Sequence, residues 1–549
     1  MTDLKRWKKN YWILLIGFHA ILVLLIFLDQ VQIGKGDPAQ RVLTSYMYDW
    51  TSHIFTLKSL IETWPFGQFL LQNLLIKVFF YFDLDYGHQL RIISAFSVLC
   101  SFIGIYTLSL ASSNLFGEIA KYLTGLILLS YTSLIDLAGS AYAEIYSFCF
   151  IGVAFWLITI HSKNIIRKFL FISLAGLSLF VANGMRHEVF FLTIGLIAYY
   201  FISKKIWQGI VIGCFGASFF SIKTFYSRFI TTEPVTFLNF HTFNYQPDAS
   251  ISDNLYKQLI FFILPEGLIL VLLLLLAYKI HQHLSFKSMI SLIKKGFLIL
   301  IIPLLTFSLF LFYAILSGNA IALDRYTFLQ TSILLVILSG LFAQGNVCDR
   351  KVNKIYQSLY YMLPSLSVVL VTYYYILPIY EPNFTHRKHI LEIDQTIEWL
   401  ETNTRSSRIL TIDRIGWWEQ PLLLYSGFIP GQPINSYCDT FRPVLSHVAP
   451  DSIINPLRNA TNFKLRVFES HWHIIEYQSQ FVLVDSRGLY RENPDFKQSL
   501  RDNSHFIKYL KPDEPNRWTL ISPYLEVPVS LEVVFKNNVV TILKVLNFS

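Results

Sequence analysis

Residues 297–316 read FLILIIPLLTFSLFLFYAIL, a run of twenty positions without one charged side chain. An α-helix needs about 20 such residues to cross the hydrocarbon core of a bilayer. Further apolar runs occupy residues 12–28, again without charge, and 261–277, whose only charged residue is Glu266. Of the 549 residues, 53% are hydrophobic and only 15% are charged, whereas soluble proteins carry about 25% charged residues. The chain is therefore predicted to be a multi-span α-helical membrane protein, and a purely water-soluble protein is excluded.

The apolar runs and the helix-breaking residues between them predict about eleven transmembrane helices. The predicted spans are 11–29, 92–111, 120–138, 142–161, 168–184, 188–202, 208–226, 258–279, 297–316, 326–344 and 357–378. Basic residues before the first span are followed by no small-residue cleavage site, so this segment is expected to remain as a membrane anchor.

The loops between these spans predict the orientation, because short cytoplasmic loops collect Lys and Arg. If the N-terminus is cytoplasmic, the even-numbered loops must be basic. Four of these five loops are rich in Lys and Arg, and the loop after the second span is neutral. The basic residues follow spans four, six, eight and ten, and they are Lys163, Arg167, Lys168, Lys204, Lys205, Lys279, Lys287, Lys294, Lys295, Arg350, Lys351 and Lys354. The outer loop 30–91 and everything after residue 378 are then extracytoplasmic, in a protein expected in a prokaryotic inner (plasma) membrane.

Two modules are predicted on this basis. Residues 1–379 form a transmembrane module, whose outer loop carries an amphipathic interfacial helix at 66–82. Residues 380–549 form an extracytoplasmic α/β domain, because their composition changes to a soluble pattern. In that domain we predict helices at 386–402 and 417–425, strands at 408–413 and 481–485, and a hairpin of 531–535 with 539–545 around Asn537 and Asn538.

Charge and cysteine content limit the other partners. The formal charge is +9, but no basic block or zinc pattern stands apart from the membrane segments, so we predict no nucleic-acid partner. The five cysteines form no disulfide framework and no CxxC or Cys/His metal pattern. Asp83 and Asp85 imitate a two-carboxylate metal motif, yet they stand just before a span and are interpreted as helix caps. We predict no metal site and no cofactor; a divalent cation is compatible with the sequence but not required.

Ionisable residues gather at the predicted outer boundary of the membrane, where charge is costly unless it has a function. They come from five separate segments of the chain. They are Asp37 and Arg41, Glu62, Glu144, the turn Arg186-His187-Glu188, and Asp324-Arg325-Tyr326. Each has a simpler interpretation: Asp37 before Pro38 suits a turn, arginines at span ends reach lipid phosphate, and glutamates pair with arginines to settle helix packing.

The order of these motifs resembles the GT-C membrane glycosyltransferases, and within them the protein O-mannosyltransferase and aminoarabinose-transferase type (family 39-like). The resemblance covers residues 1 to about 345. It rests on Gly36-Asp37-Pro38, on Glu62-Thr-Trp-Pro65-Phe-Gly-Gln-Phe69, on Leu90-Arg91-Ile-Ile-Ser94-Ala95-Phe96, on Ala143-Glu144-Ile-Tyr146, and on the Arg186 and Asp324 segments. It implies a polyprenyl-phosphate sugar donor, a glycan, lipid or protein acceptor, and transfer on the extracytoplasmic face.

By position, the family's catalytic carboxylate maps onto Asp37, and a second carboxylate maps onto Glu62. This sequence departs from the family at Pro38, where a second acidic residue is frequent, and at Thr63-Trp64-Pro65, where the family has a Lys-Pro-Pro-like segment.

The residue types fit this chemistry directly. A carboxylate accepts the acceptor's proton, and cations stabilise the departing phosphate. Asp37 is the predicted base, in an inverting displacement. Arg41, Arg186, Arg325 and Tyr326 are predicted to bind the donor phosphate, with Glu144, His187, Glu188 and Asp324 supporting them.

Two other classes of function remain open at this point. A transporter or flippase of a lipid-linked or anionic sugar also needs charge within the membrane, although no inverted repeat is evident. A membrane-anchored binding protein is the third class, in which Trp417-Trp418 and His471-Trp472-His473 of the C-terminal domain stack on sugars.

Overall fold

The computed structural model describes residues 2–28, 33, 41–42, 45–46, 66–186, 188–219, 297–316, 324–344, 362–376, 385–403, 409–413, 428–430, 453–456, 464–468, 480–486, 510–521 and 528–546. The chain divides into two compact units. The first comprises Met1–Gln32, Pro65–Gln68 and Arg91–Ile376, and the second comprises Ile33–Trp64, Phe69–Leu90 and Leu377–Ser549.

Helices dominate the described residues up to residue 376. Helices α1 to α6 are Thr2–Phe27, Phe66–Tyr81, Tyr86–Phe116, Glu118–Leu128, Thr132–Leu137 and Ala143–Thr159. Helices α7 to α12 are Ile165–Met185, Val189–Ile202, Ile206–Gly216, Leu298–Leu316, Asp324–Gln344 and Met362–Val371. The last is continued by π-helical turns over Thr372–Ile376. Ten of the eleven predicted spans thus contain helix, and the predicted span 258–279 lies outside the described residues.

Length and composition identify the segments that can cross a membrane. Within the described ranges, three helices are long and apolar enough by themselves: Lys8–Phe27, Tyr86–Phe116 and Ile165–Met185. Shorter apolar helices accompany them at Ala143–Thr159, Val189–Ile202, Ile206–Gly216, Leu298–Tyr313, Phe328–Ala343 and Met362–Val371. Together they make the described part of this region mostly helical, with several apolar helices, as predicted.

The predicted span 120–138 is wrong as one continuous helix, because the chain breaks it at residues 129–131 into α4 and α5. Ser130 lies in the break and is buried. Its hydroxyl lies 2.9 Å from the carbonyl oxygen of Leu126, 3.0 Å from that of Leu363 and 2.9 Å from the hydroxyl of Ser367. In the low-dielectric interior of a membrane protein such polar contacts between helices stabilise packing, so α12 takes part in fixing the break.

Helix α2 confirms the predicted helix at 66–82, and its two faces differ. Gln68, Gln72 and Asn73 are buried, whereas Leu74 and Tyr81 are exposed. The buried face therefore combines these polar residues with Phe69, Ile76 and Phe79, whereas the exposed face is mostly apolar. An interfacial location for this helix stays a prediction.

A mixed sheet with one helix makes up the described part of the chain after residue 384. The helix is α13, Thr385–Asn403, and the strands β1 to β9 are Ile409–Asp413, Phe428–Pro430, Ile453–Pro456, Lys464–Phe468, Phe481–Asp485, Leu510–Glu514, Arg517–Leu520, Val529–Lys536 and Val540–Val545. In those residues the strand order is β2-β3-β4-β1-β5-β9-β8-β7-β6. Strand β1 is parallel to β4 and β5, and the other pairs are antiparallel.

The predicted α13, β1 and β5 are confirmed in this sheet, as is the hairpin of β8 and β9; the predicted helix 417–425 lies outside the described residues. Alternating residues explain the hairpin, because Val529 and Leu531 are buried on one face. Helix α13 packs on the sheet through Trp399, whose ring centroid lies 5.7 Å from that of Phe481 and 5.8 Å from that of Phe535.

Candidate functional site

Three charged side chains of the first unit meet at the ends of three helices. Arg186 directly follows α7, Glu144 lies in the first turn of α6, and Glu188 directly precedes α8. Arg186 Nη1 lies 3.1 Å from Glu144 Oε1, and Arg186 Nη2 donates a hydrogen bond of 2.6 Å to Glu188 Oε1. Residues that are 42 positions apart in the sequence therefore share one cluster, which we call the Arg186 cluster: Glu144, Arg186 and Glu188.

The helix dipoles favour this arrangement of charge. The N-terminal end of a helix carries a partial positive charge and the C-terminal end a partial negative charge. Glu144 and Glu188 stand at N-terminal ends, while Arg186 stands at a C-terminal end. Each side chain is thus stabilised by its own helix end as well as by its ionic partners.

The Arg186 cluster is deeply buried. The relative exposure of the side chains is 3% for Arg186, 1% for Glu144 and 8% for Glu188. Burying a charge costs several kcal/mol unless an opposite charge and hydrogen bonds compensate it. The three charges therefore depend on one another.

Asn183 fixes the end of α7 one turn before the arginine. Its side-chain nitrogen donates hydrogen bonds to the carbonyl oxygen of Gly216, at 2.7 Å, and to the hydroxyl of Thr193, at 3.3 Å. Asn183 and Thr193 are fully buried. Helices α8 and α9 thereby hold the turn of α7 that presents Arg186.

The start of α2 contacts both segments that carry the Arg186 cluster. Gln68 Nε2 donates a hydrogen bond of 2.8 Å to the carbonyl oxygen of Ala141, three residues before Glu144. Gly67 lies against the backbone of Gly184, two residues before Arg186, so closely that a Cβ on Gly67 would come within 2.7 Å of it. The start of α2, which is the described part of the sequence motif that follows Glu62, thus adjoins the cluster. The sequence did not predict Gln68 and Gly67 as site residues, because their position within that motif was the only indication of a role.

Arg41 belongs to the second unit, where it is buried among polar neighbours. Its exposed fraction is 5%, and its carbonyl oxygen accepts a 2.7 Å hydrogen bond from the Ser45 hydroxyl. Ser45 also bonds to Gln72 Oε1 at 3.1 Å, and its own carbonyl accepts from Asn73 Nδ2 at 2.6 Å. Gln72 and Asn73 of α2 therefore hold Ser45, which in turn contacts the backbone of Arg41.

The other candidate residues are described in part or not at all. Asp37, Glu62 and His187 lie outside the described residues. Asp324, Arg325 and Tyr326 form the first turn of α11, and only their backbone is described. In the ranges that the structure covers, no group of three or more His, Cys, Asp or Glu side chains is arranged to hold a metal ion.

Asp85 serves as the predicted helix cap. Its Oδ1 accepts a hydrogen bond of 3.0 Å from the backbone N–H of His88, in the first turn of α3, which is the standard geometry of an N-cap. Its other carboxylate oxygen contacts the His88 ring. The backbone N–H of His88, and then its side chain, lower the pKa of the Asp85 carboxyl below its ordinary value.

Comparisons with known proteins give a clear match in structure only. No protein-family model and no curated protein matches the chain. ArnT from Cupriavidus metallidurans bound to undecaprenyl phosphate has a TM-score of 0.52 at 13% identity, over 96% of this chain and 97% of that chain. Its apo state gives a TM-score of 0.53 at 11% identity with the same coverage. An Archaeoglobus fulgidus oligosaccharyltransferase tethered with an acceptor peptide gives 0.44 at 11% identity, over 88% of this chain and 70% of that chain.

ArnT is a GT-C membrane glycosyltransferase. This chain has the ArnT fold over nearly its whole length, so the predicted resemblance to the GT-C glycosyltransferases is confirmed at the level of the fold. The apolar helices, three of which are long enough to cross a membrane within the described residues, agree with a membrane location.

Proposed function

We propose that this chain is an integral membrane glycosyltransferase that moves a sugar from a polyprenyl-phosphate donor to an acceptor on the extracytoplasmic face of an inner membrane. The observation that carries the proposal is the shared fold with ArnT, a protein solved with undecaprenyl phosphate. The match covers 96% of this chain and 97% of that chain.

A fold alone does not give a function, which must be argued from a site. The Arg186 cluster supports the proposal because ionisable side chains among membrane helices are expensive and mark functional sites. Its three residues all stand at helix ends, and in the proposal these helix ends lie at the outer boundary of the membrane. A lipid donor keeps its polyprenyl chain in the bilayer and brings its phosphate to this level.

The proposed role of each residue follows from the proton and the electron pair that move during the reaction. Asp37 takes the proton of the attacking hydroxyl or amine as the new glycosidic bond forms. The bond between the sugar and the phosphate breaks, and the lipid phosphate leaves with its electron pair. Glu62 is the second carboxylate of the same outer loop. A single displacement of this kind inverts the anomeric centre.

Cations hold the departing phosphate in the proposal, and they are Arg41, Arg186 and Arg325, assisted by Tyr326. Arginine suits this role because its planar guanidinium offers five N–H donors in a fixed fork. In the Arg186 cluster the two carboxylates act on Nη1 and Nη2 and set the orientation of that fork. Glu144, His187, Glu188 and Asp324 are the proposed supporting residues. The proposed chemistry needs no cofactor.

Purified full-length protein in detergent provides the test, because transfer needs no sealed compartment. The protein is given radiolabelled polyprenyl-phosphate sugars, a pentose and a hexose in turn, with a cell-envelope extract as acceptor. We expect release of free polyprenyl phosphate and appearance of label in the acceptor fraction. Asp37→Asn should abolish both, while Asp83→Asn, another loop carboxylate, should leave both unchanged.

Label that crosses sealed vesicles while the sugar stays on its lipid would instead identify a transporter. Near-normal turnover by Asp37→Asn would remove Asp37 from the mechanism. The orientation is tested separately with reporter fusions after residues 36 and 185, which the proposal puts on the same outer side.

A further inference from the structure

Lys121 carries its ammonium group among three aromatic rings at the start of α4. The ammonium nitrogen lies 5.9 Å from the ring centroid of Trp12, 5.8 Å from that of Tyr106 and 5.7 Å from that of Tyr122. These rings come from three helices, α1, α3 and α4, all in the first unit. Cation–π attraction acts over such distances, so the rings hold the charge of this long side chain in one place.

A second ammonium group stands nearby. Lys8 is exposed and precedes Trp12 by four residues on α1, so the two lie on one face of that helix. The positive charge of Lys8 repels that of Lys121. Glu118 attracts Lys121, and its Oε1 accepts a hydrogen bond of 3.0 Å from the Tyr122 hydroxyl. Lys8 and Lys121 thus carry two positive charges against the one negative charge of Glu118, and this excess of positive charge favours the binding of an anion.

The position of the cluster narrows the kind of anion. Helix α1 carries Lys5, Arg6, Lys8 and Lys9 in its first turns and then becomes a membrane-crossing segment, Lys8–Phe27. Trp and Tyr are enriched where the bilayer meets water, and the phosphates of phospholipids occupy that level. A cationic pair beside aromatic rings therefore lies where anionic lipid head groups are concentrated.

We propose that Lys8 and Lys121, framed by Trp12, Tyr106 and Tyr122, form a binding site for the head-group phosphate of an anionic phospholipid. The lipid phosphate supplies the missing negative charge, while its acyl chains lie along the apolar helices. Free inorganic phosphate has the same charge chemistry but no reason to concentrate at a membrane boundary. The site is independent of glycosyl transfer, since none of its residues belongs to the Arg186 cluster or the outer loop 30–91.

Native mass spectrometry of the detergent-solubilised full-length protein tests this site. Phosphatidylglycerol and neutral phosphatidylcholine are titrated in parallel, and the retained lipid is counted. A lysine near anionic lipid contributes about five-fold in affinity, so Lys8→Gln and Lys121→Gln should each weaken phosphatidylglycerol retention about five-fold. The double variant should weaken it more than ten-fold and leave phosphatidylcholine unaffected. The control is Lys511→Gln with Lys544→Gln, exposed lysines on strands β6 and β9 of the second unit, which should change nothing.

A variant that is expected to strengthen lipid binding serves as a control for misfolding. Glu118→Gln removes the opposing carboxylate, so it should strengthen phosphatidylglycerol retention about five-fold. Lys121→Arg keeps the charge and should retain the lipid. The proposal is overturned if the double variant binds phosphatidylglycerol like the original chain, if phosphatidylcholine is retained equally, or if millimolar inorganic phosphate displaces the lipid.

Discussion

The side-chain amide of Gln68 donates a hydrogen bond of 2.8 Å to the backbone carbonyl oxygen of Ala141. Both residues are fully buried. Ala141 has a φ of 58°, in the left-handed region that costs a residue with a Cβ about 1 kcal/mol or more. The bond therefore holds an unfavourable turn in place, and that turn leads within three residues to Glu144.

Gln68→Leu is expected to destabilise the protein by about 1–3 kcal/mol, because it leaves the buried carbonyl of Ala141 without this donor. Under the proposed function it should also lower kcat more than it raises KM, since a displaced Glu144 misorients Arg186. Thermal unfolding in detergent and steady-state transfer measure the two effects.

Thr124→Val is the control for that variant, because Thr124 is fully buried in α4 and donates a hydrogen bond of 2.8 Å to the Ser112 hydroxyl, and neither residue has a role in the proposed site. It should lower stability by a similar amount and leave the ratio of kcat to KM less affected. Equal kinetic losses in the two variants would contradict a specific role of Gln68.

Gly67→Ala should destabilise the chain by about 1–3 kcal/mol, the usual cost of overpacking. Its Cβ would lie 2.7 Å from the carbonyl carbon and oxygen of Gly184, and backbone atoms cannot turn away as a side chain can. Alanine normally stabilises a helix relative to glycine by about 0.5–1 kcal/mol, so the sign is reversed here. Gly17→Ala gives the comparison, because nothing lies within 4 Å of its new Cβ. Unfolding midpoints that rise in both variants would refute the close approach of α2 and α7.

Asp85→Ala should lower the stability of the first turn of α3 by about 1 kcal/mol at neutral pH, whereas Asp85→Asn, which still caps, should lower it less. The pKa of the carboxyl is lowered in the folded protein, so its contribution is present above the unfolded pKa of about 3.9. It is lost as the pH falls through the lower folded value. Hydrogen exchange of the amides after Asp85 should therefore differ most between the original chain and Asp85→Ala at pH 7, and the difference should shrink as the pH falls below about 3.9. A difference that stays constant into acid would argue against a charged cap.

Hydropathy was sufficient to predict most of the membrane helices, because a charge-free run long enough to cross a bilayer has few other stable conformations. It did not predict the break at Ser130, where neither proline nor charge interrupts the run. That break depends on hydrogen bonds to Leu363 and Ser367, more than two hundred residues away. Local pattern carries no information about partners so distant in sequence.

The buried face of α2 could not be predicted from the sequence, for a different reason. Periodicity shows that a helix has a polar and an apolar face, but which face turns inward depends on whether the surroundings are water or lipid. Gln68, Gln72 and Asn73 were interpreted as interfacial, and the structure buries them against Ala141 and Ser45. The proximity of Glu144 to Arg186 was foreseeable from topology, since both were predicted at outer helix ends.

Arg186→Ala should destabilise the protein by about 3–5 kcal/mol, because it leaves Glu144 and Glu188 buried beside each other without the guanidinium. Glu188→Gln keeps a hydrogen-bond acceptor for Arg186 Nη2 and should cost less. The informative quantity is the coupling, obtained by adding Glu188→Gln to Arg186→Ala and following unfolding in denaturant for all four proteins. In the doubly substituted chain the two carboxylates no longer repel, so Glu188→Gln should recover part of the loss caused by Arg186→Ala.

The same four proteins separate a packing role from a role at the donor. If Arg186 only settles the helix ends, transfer activity should recover together with stability when Glu188→Gln is added to Arg186→Ala. If Arg186 also binds the donor phosphate, the doubly substituted chain should regain stability while its KM for the polyprenyl-phosphate sugar stays raised about ten-fold or more, the loss of one charged hydrogen bond at about 1.5–3 kcal/mol. If the effects of the two substitutions on stability are additive, Glu188 and Arg186 do not interact, and the 2.6 Å contact between them is contradicted.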